Sequence, residues 1–133
     1  MDEIVTERYR KLMEEGFENA GSFENPSIFI DTKTEGISIC GQAGQDYMNI
    51  FVMIDGDVIS DIKYLCSCDP AANVVIEVLC NLVRGKTTKQ AKELTKEQFF
   101  EAIGSDGGTV RRKVWQAIEL LNRVFNRYEA NAI

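Results

Sequence analysis

The chain has no histidine among its 133 residues. That removes the commonest general acid/base near neutral pH, every Ser–His or Cys–His nucleophile arrangement, and any imidazole metal ligand. Chemistry must rest on Cys, Asp, Glu, Lys, Arg or Tyr. There is no G-x-x-x-x-G-K-[ST] phosphate loop and no nucleophile elbow. "RGKTT" has a Lys-Thr pair but lacks the upstream glycine, and it follows a helical stretch instead of a strand. A turnover enzyme is not expected. No apolar run is long enough to span a bilayer. The opening "MDEIVTERYRKLMEEGF" is charged throughout and lacks the apolar block of a signal peptide. Basic residues are outnumbered, with 15 Lys and Arg against 21 Asp and Glu, for a net charge of -6. An acidic surface repels phosphate backbones, so neither nucleic acid nor membrane is an expected partner. A cytoplasmic location is expected, with cysteines mostly reduced instead of disulfide-bonded.

What is present is the composition of an ordinary globular chain, 44% hydrophobic and 27% charged. No repeat is visible, and residues 1–133 are expected to form one domain. Val5, Tyr9, Leu12 and Met13 fall at helical spacing over Ile4 to Gly16. "ENAGSFENPS" reads as loop. Ile37 and Ile39 alternate with Ser38 and Cys40, which predicts a first strand. Met48, Ile50, Val52 and Ile54 alternate with Tyr47, Asn49, Phe51 and Met53, a strand with both faces at least partly covered. Asp55-Gly56-Asp57 is a hairpin turn, and Val58 to Leu65 returns antiparallel. The second half is helical. Asp69 is a good N-cap, and Pro70, one of only two prolines, suits a first helical position, where its missing N–H costs nothing. Ala71 to Arg84 is apolar on nearly every side and reads as a central helix ended by Gly85. Thr95 and Gln98 form a capping-box pattern for a short helix through Ile103. "GSDGGT" interrupts the chain, and Val110, Val114, Ile118, Leu121, Phe125 and Tyr128 trace a long last helix, its stripe widened by Trp115 and Val124. The expected fold is α+β: a small antiparallel three-stranded meander covered by helices, with an N-terminal helix and a long C-terminal helix.

Two of the four cysteines stand in "YLCSCDP", at the junction of a strand and a helix start. Unpaired N–H groups and a partial positive charge at a helix N-terminus favour thiolate, the form that binds soft metals. Cys66 and Cys68 are therefore read either as packing residues or as ligands, since C-x-C alone is a weak motif. Cys80, mid-helix among Val78, Leu79 and Leu82, reads as core. A metal site needs about four donors, and the available set is Cys40, Cys66, Cys68 and a carboxylate such as Asp46.

The order of motifs resembles the iron–sulfur cluster assembly scaffolds of the IscU/NifU N-terminal type over most of the chain. "VTERYRKLMEEGFENAGSF" looks like that family's opening helix and Asn-then-Gly-Ser-Phe loop. "GQDYMNIFVMIDGDVISDIKY" is similar to its Cys-Gly-Asp strand and hairpin. "CDPAANVVIEVLCNLVRGKTTKQA" resembles its cysteine, small-residue helix and Val-Lys-Gly-Lys ending. The resemblance implies an antiparallel sheet with helices on one side. It also implies a scaffold or carrier of iron or a [2Fe–2S] cluster, a cysteine desulfurase as sulfur donor, and apoprotein clients. Family members carry three cysteines and an aspartate. The aspartate falls on Asp46 and the second cysteine on or beside Cys68. The first falls on Gly44, with Cys40 the nearest thiol, and the third falls near Arg111 and Arg112, where there is none. Cys40, Asp46, Cys66 and Cys68 are thus the expected cluster or metal ligands. The alternatives are a zinc-binding variant and a paralogue that keeps the fold as a metal-free interaction module. Arg111, Arg112 and Lys113 read either as a solvated charge cluster or as a basic lip that holds thiolates or an anionic cluster, or that meets an acidic partner.

Overall fold

The computed structural model describes residues 2–39 and 47–131, so Cys40, Gly44 and Asp46 lie outside the described residues. The element order is α1 (Glu3–Glu15), β1 (Ile28–Asp31), α2 (Thr32–Glu35), β2 (Tyr47–Asp55), β3 (Val58–Ser67), α3 (Pro70–Val83), α4 (Thr88–Lys92), α5 (Lys96–Ile103) and α6 (Gly108–Asn131). The strands form one antiparallel sheet in the order β1-β2-β3. This is the α+β meander with helical cover that the sequence predicts.

The hairpin follows from its turn. Asp55 pairs with Val58, which leaves Gly56 and Asp57 as a two-residue loop, and Gly56 takes φ 68° at no steric cost. Further along, Met53 faces Asp61 while Ile54 faces Ile59, so Ser60 is the extra residue of a bulge. That one residue resets the side-chain alternation. Ile59, Ile62 and Tyr64 all reach the buried face despite their uneven spacing.

The first strand lies elsewhere than expected. Ile28–Asp31 pairs with β2, whereas residues 37–39 are not strand. Asp31 accepts a hydrogen bond from the Lys33 N–H and starts α2. Gly36, at φ 73°, closes that turn, with its N–H donating to the Lys33 carbonyl and the Ile37 N–H to the Thr32 carbonyl. The apolar alternation of Ile37 and Ile39 was a burial signal and not a strand signal, for both are buried beyond a helical cap.

Helices cover one face of the sheet, where Ile30, Met48, Ile50, Val52, Ile59 and Ile62 are buried. The other face is partly covered, as the sequence leads one to expect of β2. Phe29 and Tyr47 are exposed there, and Phe51 and Met53 are half-buried. The central helix is α3, buried through Ala71, Ala72, Val74, Val75, Ile76, Leu79, Cys80 and Val83. It packs on α1, α5, α6 and β3. The capping box at Thr95 and Gln98 is present, and a second one, Thr87 with Gln90, opens α4. Trp115 is not part of the buried stripe of α6. It is exposed, and the Lys96 ammonium lies 4.7 Å from its ring centroid.

Candidate functional site

The end of β3 and the start of α3 carry the two neighbouring cysteines. Side chains alternate along a strand, so Cys66 points to the same face as Tyr64 and lies half-buried beneath α3. Its thiol donates to Asn73 Oδ1 at 3.4 Å. Cys68 follows the strand, and its sulfur lies 3.5 Å from the Tyr47 carbonyl oxygen. Asn73 ties the two positions together. Its Nδ2 donates to the Cys68 and Asp69 carbonyls, each at 3.4 Å. This residue was missed from sequence, although an amide one turn into a helix that begins at Asp69 is placed to reach back over the junction.

Asp69 caps α3 as predicted, its Oδ1 accepting from the Ala72 N–H at 2.8 Å. Its other oxygen receives the Lys113 ammonium of α6 at 3.1 Å. Lys113 Nζ also donates to the Ile39 carbonyl at 2.7 Å. Of the three consecutive basic residues, Arg111 and Arg112 are exposed, and only Lys113 turns inward, 8% exposed. The solvated-cluster reading therefore holds for the two arginines and not for Lys113.

The helix N-terminus does not make Cys66 a thiolate, contrary to the sequence expectation. Burial, followed by the nearby carboxylates of Asp69 and Glu77, pushes its thiol up to about 11. The capping carboxylate that satisfies the helix N–H groups also brings a negative charge close to the sulfur. Cys80 is fully buried, as expected of a core cysteine. Its thiol is raised as well, chiefly by burial and then by Glu77. Cys66 and Cys80 are free thiols, whereas Cys68 is disulfide-bonded. The general expectation of reduced cysteines fails at Cys68. It rested on compartment chemistry alone, whereas bonding depends on the sulfur distances that the fold creates. Two-electron reduction by an external thiol would return Cys68 to a thiol that can ligate.

Among the described residues no group of three or more Cys, Asp or Glu is gathered tightly enough to hold a metal. The structure thus brings Cys66 and Cys68 to one junction. The other two expected ligands, Cys40 and Asp46, lie outside the described residues. No described helix is long and apolar enough to cross a membrane.

At the far end of α3 a polar network pins the Asn19 loop. The buried Glu77 carboxylate accepts from the Asn19 backbone N–H at 3.2 Å and from Asn19 Nδ2 at 3.0 Å. Arg84 donates to Asn19 Oδ1 at 2.5 Å, to the Ile62 carbonyl at 3.0 Å and, through Nε, to Asp61 at 3.1 Å. The Tyr64 N–H donates to the Asn19 carbonyl and the Gly21 N–H to the Tyr64 carbonyl, which ties the loop to the edge of β3.

Comparison with known proteins bears on this arrangement. A crystal structure from thermophilic Fervidobacterium islandicum AW-1, described as a candidate iron–sulfur cluster assembly scaffold for the SUF system, is similar at TM-score 0.59 and 16% identity, covering 90% of this chain and 94% of that one. A nitrogen-fixing NifU-like protein (N-terminal) from Brucella abortus is similar at TM-score 0.64 and 11% identity, covering 98% and 94%. At such identities the likeness is one of fold. Among curated proteins none matches the chain. The family described as NifU-like N terminal domain matches residues 9–132. With that match spanning nearly its whole length, the chain belongs to the NifU-like N terminal domain family.

Proposed function

We propose that this chain is a scaffold or carrier for iron–sulfur cluster assembly and not a turnover enzyme. The observation that carries the reading is the family match across residues 9–132. The placement of Cys66 and Cys68 at one strand–helix junction supports it. In this reading the cluster or its iron is cargo. Cys66 and Cys68 bind iron or accept sulfur, Cys40 supplies a further thiolate, and Asp46 supplies an oxygen donor that keeps the cargo easy to release. Sulfur comes from a cysteine desulfurase and the cluster passes to apoprotein clients, as in a soluble, single-domain carrier of the cytoplasm. Zinc on the same thiols is the alternative metal.

Loading must displace protons. A thiol held near 11 is almost wholly protonated at neutral pH, so metal capture at Cys66 releases a proton and strengthens as pH rises. Cys68 must be reduced first. Anaerobic reconstitution with iron and sulfide, after thiol reduction, should give visible charge-transfer absorption. Cys66→Ser and Cys68→Ser should each lose it. A wild-type protein that stays colourless where a control scaffold loads contradicts the reading.

A second reading, a metal-free interaction module that uses the same surface, draws on the protonated Cys66 and the bonded Cys68. It predicts unchanged binding of a desulfurase or client when Cys40, Cys66 and Cys68 are all changed to Ser.

A further inference from the structure

We propose that Lys113 is a resident cation that closes the cysteine end of the fold without a metal, joining the Asp69 cap of α3 and the Ile39 segment to α6. The inference extends the cargo reading of this end and rests on it for its purpose, though not for its geometry.

A buried ammonium is strongly unfavourable unless it is paired and hydrogen-bonded. Lys113 is 8% exposed and meets that requirement with one carboxylate and one carbonyl, Asp69 Oδ2 at 3.1 Å and Ile39 O at 2.7 Å. Neither partner belongs to α6. The three groups come from three separate parts of the chain, 74 positions apart at the widest. The contacts of Lys113 therefore join elements to one another instead of serving its own helix. Its neighbours Arg111 and Arg112 follow the usual course and stay in solvent.

The same Asp69 also caps α3 through Ala72, so a single carboxylate serves both the helix start and the cross-link. A structural metal makes such a cross-link by binding side chains from several elements, and its binding free energy then becomes folding free energy. A fold that depends on metal in this way loosens when the metal leaves. With an ammonium in that role, cargo can arrive at Cys66 and Cys68 and depart while the surrounding frame stays closed. Lysine suits the task because its charge is part of the chain and cannot be removed by a chelator.

The test uses the full chain, reduced and as purified with no iron or sulfide added, and reads thermal unfolding with and without chelator together with hydrogen exchange. Wild-type Tm should be unchanged by chelator. Lys113→Met should lower Tm by roughly 10 °C. It should also speed exchange of the Ala72 and Asn73 amides by at least about tenfold relative to the Asn19 amide at the opposite end of α3. Lys113→Arg should restore most of both. A wild-type Tm that falls on chelation overturns the proposal, as does equal acceleration at both ends in Lys113→Met. If Lys113→Met does not fold, Lys113→Arg decides. Chelator-resistant unfolding near the wild-type Tm supports the proposal, and dependence on added zinc overturns it. No iron or sulfide enters this test, so failure of cluster loading and failure of this proposal are separate results.

Discussion

The two ends of α3 solve opposite problems. At the C-terminal end, Asn19, Glu77, Asn81, Arg84 and Asp61 interlock, and Asn19 alone joins a loop to two side chains of the helix and to the Arg84 guanidinium. At the N-terminal end the contacts among the described residues include the Lys113–Asp69 ion pair, the Asn73 amide and the Cys66 thiol 3.4 Å from Asn73 Oδ1, beside the disulfide-bonded Cys68. Buried polar networks that are fully satisfied rigidify a fold. The difference sets a densely bonded end of the helix against one where a single carboxylate, Asp69, both caps α3 and pairs with Lys113.

The largest expected effect breaks the stable end. Asn19→Ala strips the buried Glu77 carboxylate of its side-chain donor and removes an acceptor from Arg84, and should cost about 3 kcal/mol. Chemical denaturation measures this directly, and cluster loading below the transition should be unchanged. A loss of loading at full stability would mean that the two ends are not independent.

The next effect lies at the cysteine end. Folded Cys66 holds its proton to about 11 against an ordinary 9.0. At neutral pH it should therefore react with iodoacetamide roughly a hundredfold more slowly than a free cysteine, as peptide mapping of the reduced protein can show. The same shift sets a pH dependence of stability. Between those two values the native state binds more protons than the unfolded one. Stability is thus intact below about 9 and is lost as pH rises through 11. The raised thiol of Cys80 adds the same sign from the same ordinary 9.0 upward, and the raised phenol of Tyr64 from its ordinary 10.0. Cys66→Ser should flatten the first part of this slope in denaturation curves, and a stability that rises over the range would contradict the assignment.

The smallest effects lie away from both ends. Cys80→Ala, in a fully buried site, should cost about 1 kcal/mol. Trp115→Ala, on an exposed ring beneath Lys96, should cost about 0.5 kcal/mol. Paired melts of these two variants measure the ratio between interior and surface.

Much of the fold was legible in the sequence because local signals and burial agreed. Asp69-Pro70, the Asp55–Asp57 turn and the Thr95–Gln98 box each state their own backbone geometry. The same T-x-x-Q spacing at Thr87 and Gln90 could have revealed α4. Ile28–Asp31 was harder to see, since four residues beside an Asn-Pro-Ser loop show too little alternation, and only pairing with β2 makes them a strand. The site was legible in residue type but not in state. That Cys66 and Cys68 are neighbours can be read along the chain. That burial, with Asp69 and Glu77, holds the Cys66 proton in place, and that Lys113 turns in while Arg111 and Arg112 turn out, depends on contacts across as many as 74 residues. Trp115 was assigned to the core by periodicity alone, and its true place depends on where the stripe of α6 finds its partners.

Elemental analysis of protein purified without oxygen, reduced, and supplied with iron and sulfide tests the central claim most directly. Iron and acid-labile sulfide are expected in comparable amounts, both lost in the Cys66→Ser, Cys68→Ser double variant. Metal-free protein, zinc alone, or iron retained by the double variant would contradict it.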